Sequence, residues 1–247
     1  MDSPLSLAPV FQIGPVGITM PVLVSWAIIA ALALFARLAT RHLALRPGKT
    51  QAVLELLVTT IDGQIRDTMR RDPAPYRALI GTIFVFVLVA NWSSLIPGIE
   101  PPTAHLETDT ALALTVFAAT IWFGISARGL KGYLATFAEP SWVMIPLNLI
   151  EQITRTFSLI VRLFGNVMSG VFVIGIVLTL AGLFVPIPLM ALDLLTGAVQ
   201  AYIFAVLATV FIGAAAGETE GEEKPGNAAG PQSNNARDRQ ENKEKTL

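Results

Sequence analysis

Charged and apolar positions separate along the chain into long blocks. Uncharged stretches run from Ser3 to Ala36, Ala78 to Ile99, Thr110 to Ala127, Leu163 to Leu192 and Leu194 to Gly217. Each meets or approaches the roughly 18 to 20 apolar residues that carry a helix across a bilayer. The first predicts a spanning helix over about Val16–Phe35. Asp2 stands where a secretory leader would carry positive charge, and the apolar run is long enough to stay as a span.

Two further segments have their own period. Val53, Leu54, Leu57, Val58, Ile61, Ile65 and Met69 recur every three or four residues, with Glu55, Asp62, Arg66 and Arg70 elsewhere on the wheel. That pattern predicts an amphipathic helix lying in the membrane interface or against another subunit. Pro47-Gly48 and Pro73, Pro75 punctuate it. From Trp142 to Phe184 the one strong breaker is Pro146. A helix of about 38 to 40 residues fits there, about 60 Å long and twice the hydrocarbon thickness, so it must tilt, kink or protrude. Pro186 and Pro188 then turn the chain into a last helix, about Leu189–Ala216, ending at Gly217. Beyond it, Leu247 is the one large aliphatic residue and there are no aromatics. Two regions are therefore expected: a membrane domain over 1–217 and a disordered cytoplasmic tail over 218–247.

Composition strengthens this picture. Hydrophobic residues make up 53% of the 247 and charged residues 14%, against roughly 25% charged in ordinary soluble domains. A soluble globular enzyme is thereby disfavoured. Arg37 to Arg77 holds eight basic residues, whereas Glu100 to Asp109 has no Lys or Arg and three carboxylates. The excess of Lys and Arg marks the first segment as cytoplasmic. The N-terminus is then outside, and the second basic loop, with Arg128 and Lys131, falls on the same side as the first. Without cysteine there is no disulfide, thiolate or Cys-ligated centre, and two histidines, His42 and His105, leave little for a metal. A net charge of -1 offers no field for nucleic acid. No cofactor is expected.

The candidate chemistry lies in the long helix. Asn148, Glu151, Arg155, Ser158, Arg162, Asn166 and Ser169 are spaced by three or four, forming one polar stripe on an apolar rod. Arg162 lies about 28 Å along from Val143, at a depth where an arginine costs about 2.5 to 3.5 kcal/mol even on the lenient insertion scale. It cannot shed its charge and so needs a partner. In this chain the deep candidate is Asp193, with Gln200 seven residues on and on nearly the same face. Either the two charges neutralise each other as a packing pair, or they mark an ion path. The turn at Pro186 and Pro188 sets them at different depths, which strains the pair. Glu151 and Arg155 suit a local pair one turn apart. Glu107, Asp109 and His105 form either an outer mouth or a solvated acidic loop.

At these residues a family resemblance enters. The runs PLNLIEQITRTFSLIVRLFGNVMSGVFV, Pro146 to Val173, and GAVQAYIFAVLATVFIG, Gly197 to Gly213, resemble subunit a of the F-type ATP synthase membrane sector. The R-L-F-G-N core at Arg162 to Asn166 is highly specific. Pro47-Gly48-Lys49, the segment NWSSLIP from Asn91, PPTAHLETD from Pro101 and Lys131-Gly132 also match, so the likeness covers about residues 10–217.

The resemblance implies an all-α polytopic membrane protein of five transmembrane helices, the last two a long tilted hairpin, plus the amphipathic helix on the cytoplasmic side. It implies a non-catalytic stator subunit of the bacterial inner membrane that couples H+ or Na+ translocation to ATP synthesis or hydrolysis. Its partners would be the ring of c subunits, the b subunit of the stator stalk, other ATP synthase subunits and the bilayer. Arg162 matches the family's essential arginine; Asn166 and Gln200 match pathway residues, and Ser169 and Asp193 join them as expected lining. One departure stands out. Where the family commonly carries a carboxylate or histidine, this chain has Val171, which leaves Asp193 as the titratable group of the outer half-channel and keeps a sodium-translocating relative in view. The rival readings are an unrelated ion transporter, which should show inverted repeats that this sequence lacks, and a scaffold whose charges only fasten helices.

Overall fold

The computed structural model describes residues 11–13, 16–41, 48–96, 99–138, 142, 144–182 and 184–217. Six α-helices make its frame: α1 Met20–Ala39, α2 Lys49–Met69, α3 Ala74–Trp92, α4 Leu106–Ala138, α5 Met144–Ala181 and α6 Pro186–Ala216. Five of them, all but α2, are long and apolar enough to cross a membrane, in agreement with the all-α polytopic class. The expected tail over 218–247 lies outside the described residues.

Boundaries moved for local reasons. The described residues before α1 are not helical: β1, Phe11–Ile13, pairs antiparallel with β2, Val16–Ile18, Phe11 opposite Ile18. The helix begins only at Met20, with Pro21 in its first turn, where a missing N–H leaves nothing unpaired. Pro186 and Pro188 likewise sit inside the first turn of α6, so this helix starts three residues before the expected Leu189. The third span runs past Ala127 because the basic loop is itself helical, interrupted at Gly129. There φ is 73° and ψ is 164°, a conformation that favours glycine.

α6 is the hub. It packs against α2, α3, α4 and α5, whereas α1 rests mainly on α3. The largest cluster joins Val87 and Ala90 of α3, Ala113 and Val116 of α4, Leu163 and Val167 of α5, and Ala201, Phe204 and Ala208 of α6. The alanines let the backbones approach, which lipid-embedded helices need because burial from lipid gains no hydrophobic energy. Ile65 and Met69 of α2 join Tyr76, Ile80 and Ile212 in a second cluster. Both nitrogens of an Arg77 fork donate to the Asp62 carboxylate, so a charge at the start of α3 is neutralised from α2.

The C-terminal end of α6 gathers the two basic segments. Arg71 Nη2 donates to the carbonyls of Ala216 at 3.2 Å and Gly217 at 2.6 Å, and Arg128 Nε to Ala216 at 3.4 Å. Those carbonyls have no helical partner and form the negative end of the helix dipole.

Candidate functional site: an arginine between two cavities

The antiparallel packing of α5 on α6 organises the site, and a glycine sets its register. A Cβ built on Gly170 would lie 2.1 Å from Asp193 Oδ1, so the carboxylate occupies the place of the missing side chain. Asp193 is half-buried, and its Oδ2 accepts from the Ser94 hydroxyl at 3.3 Å. Arg162 lies eight residues from Gly170, about 12 Å along α5.

Arg162 is exposed on the surface of the chain. Among the described residues it has no hydrogen-bond or ion-pair partner, so the neutralising pair with Asp193 is not formed. It lines a groove of about 520 Å³ between α5 and α6, together with Glu151, Arg155, Ser158, Leu207 and Phe211. Glu151 and Arg155 form the local ion pair one turn apart, and the Arg155 guanidinium stands 5.5 Å over the Phe211 ring.

A second, separate cavity opens on the other side of Arg162. It measures about 160 Å³ and is lined by Ser94, Glu100, Val171, Gly175 and Asp193. Glu100, Val171 and Gly175 also line an adjoining cleft of about 730 Å³ that reaches His105 and Glu107. Neither the cavity at Asp193 nor the adjoining cleft shares a lining residue with the groove at Arg162.

The remaining expected residues divide. Asn166 is partly buried, and its carbonyl accepts from the Ser169 hydroxyl at 2.9 Å, so exposed Ser169 is bonded within its own helix. Gln200 is 6% exposed and lies in the packed interior, its Nε2 without a partner. Near it the Asn91 amide donates to the Gly197 carbonyl at 2.9 Å and accepts from Thr103 at 2.7 Å.

The acidic segment at the start of α4 behaves in two ways. Glu107 is exposed, but it stands in the first turn of α4 and not in a loop. Asp109, in the same turn, is 0% exposed, and both its oxygens lack hydrogen-bond partners. The loop reading is corrected for both carboxylates, because α4 begins at Leu106 and its first turn carries Asp109 onto the face of Ala113 and Val116.

Comparison with known proteins bears on these residues directly. The family model for the ATP synthase A chain matches residues 22–213, which take in both walls of each cavity. The chain belongs to this family. A protein of Bradyrhizobium sp. named ATP synthase subunit a 2 is 60% identical over 216 residues, covering 87% of this chain and 97% of the relative. An ATP synthase subunit a of Albidiferax ferrireducens is 44% identical over 218 residues, 87% of this chain and 94% of the relative. A third, ATP synthase subunit a 1 of Prosthecochloris aestuarii, is 45% identical over 208 residues, 83% of this chain and 93% of the relative. Membership in the A chain family replaces the rival reading of an unrelated transporter and accords with the five apolar helices.

Proposed function

We propose that this ATP synthase A chain forms the stationary ion path of the membrane sector. Arg162 separates two half-channels against a rotating ring of c subunits, and ion flow is coupled to ATP synthesis or hydrolysis. The observation that carries the reading is the exposed, unpartnered guanidinium of Arg162 between two cavities that share no residue.

The physics of such a device needs those features. A ring carboxylate crossing lipid must be neutral, and it ionises only where a neighbouring cation favours the charged form. A guanidinium in that place releases the ion from each arriving site. Because it stays protonated, it also repels cations leaking from one cavity to the other. Asp193 serves as the titratable group of the outer half-channel, Asn166 and Ser169 line the approach to Arg162, and Gln200 stands behind them. The chain makes and breaks no covalent bond. It sits in the bacterial inner membrane, N-terminus outside and C-terminus cytoplasmic, beside the b subunit of the stator stalk. The carried ion is H+ or Na+, decided largely by the ligands of the ring.

The test is Arg162→Ala in the assembled complex, read as ATP-driven ion uptake into vesicles. Removal of a cation eases insertion, so the subunit should remain in the complex while uptake is lost. Normal uptake by a complex shown to contain the variant would refute the role.

A further inference from the structure

Two buried polar side chains on facing helices are left without partners, one an acceptor and one a donor. Both oxygens of Asp109 on α4 and the Nε2 of Gln200 on α6 are buried and unbonded. Their register sets them at one level. A Cβ at Gly124 of α4 would stand 3.3 Å from the Cβ of Ala215 of α6, and fifteen residues back along each helix are Asp109 and Gln200. Between these levels Ala113 and Val116 pack in one cluster with Ala201 and Phe204, so the helices stay in contact over the interval. The same counting on α5, seven residues back from Gly170 where it meets Asp193, brings Gln200 level with Leu163, beside Arg162.

We propose that Asp109 and Gln200 form a buried cation-accepting step, for H+ or Na+, between the cavity at Asp193 and the layer of Arg162. The inference rests on the ion-path reading above. Gln200 lies about 10 Å below Asp193 and on nearly the same face of α6, which sets a second carboxylate one stage further inward. The step is a single transfer: the Asp109 carboxylate takes one cation from the Asp193 side and passes it on, with no other bond changed. The Gln200 amide, which is not bonded to the carboxylate in this structure, is the donor that turns toward it when it is empty. A packing role explains the pair poorly, because the neighbouring packing amide is fully used. Asn91 both donates to Gly197 and accepts from Thr103. The charged and titratable groups on the surrounding elements are Glu100, His105, Glu107, Asp193 and Arg162, and none is bonded to the Asp109 carboxylate.

The deciding variant is Asp109→Asn, which keeps shape and removes the cation-accepting charge. It is assembled into the whole complex and read as ATP-driven uptake of H+ or Na+ into vesicles over a range of pH and Na+ concentration. The expected result is normal subunit content, at least a tenfold loss of uptake, and a shifted ion concentration for half-maximal residual rate. Wild-type uptake with an unchanged ion profile overturns the proposal. So does failure of the variant to assemble, which would make Asp109 a packing residue. Arg162→Ala measured in parallel separates the two ideas: if it pumps normally the underlying ion path is wrong, and if it alone fails only the Asp109 step falls.

Discussion

Substituting Gly170 by alanine tests whether Asp193 must stand where α5 leaves room for it. The added methyl would meet Asp193 Oδ1 at 2.1 Å and Cγ at 3.0 Å, whereas ordinary contact begins at 3.4 Å, so the carboxylate oxygen has to move by about 1.3 Å. An aspartate can swing away, and the helices need not separate. Leaving its rotamer costs about 0.5 to 1.5 kcal/mol. Giving up the hydrogen bond from Ser94 costs about 0.5 to 1.5 kcal/mol more. Together, about 1 to 3 kcal/mol lowers the fraction of chains with Asp193 in place by about five- to a hundredfold, at 1.4 kcal/mol per factor of ten. ATP-driven uptake should fall by that factor in vesicles whose subunit content is normal. Gly63→Ala on α2, where a Cβ meets nothing within 4 Å, is the control and should pump as wild type. In an Asp193→Ala background the alanine at 170 should have no further effect, because the group it displaces is gone. Wild-type uptake by Gly170→Ala alone would show that the position of Asp193 does not matter to transport.

Asp193→Asn should slow uptake strongly without uncoupling it, since Arg162 still blocks the leak. Adding Val171→Glu should restore part of the rate, because Val171 and Asp193 line one cavity; no recovery in the double variant would deny the shared cavity its role. At the other end of α6, Arg71→Ala removes two charge-assisted bonds to Ala216 and Gly217. It should lower stability in detergent by about 1 to 3 kcal/mol, read as the thermal unfolding midpoint, and an unchanged midpoint would mean that Arg128 suffices as the cap.

Much of this arrangement was legible in residue order. The five spans follow from where charges are absent, and α2 from the period of Val53 to Met69, because hydrophobic pattern and backbone satisfaction decide such elements locally. Helix ends were less legible. Pro186 and Pro188 read as a turn, yet a first helical turn accepts proline as readily. Of the candidate site, Arg162 announced itself by charge and depth. The partner of Asp193 did not, since Gly170 contributes only the space of an absent side chain and that is invisible until two helices face each other. Asp109 was hidden by its company: Glu107 and His105 suggested a loop, while the signal for burial was the helical spacing from Asp109 to Ala113 and Val116.

The central place of α6 has a consequence for how the chain is made. This helix is the last of the five spans to leave the ribosome, and α2, α3, α4 and α5 all close on it. Until it inserts, Asn91 lacks its Gly197 acceptor, and Arg71 and Arg128 lack the carbonyls they cap. The earlier spans can pack on one another, α4 on α5 and α1 on α3, but they wait with these polar groups uncovered. Maturation is concentrated in one late event, the arrival of α6 between them. A chain released before α6 is made has four of its five spans but not the helix on which they close, so its unpaired polar groups stay exposed.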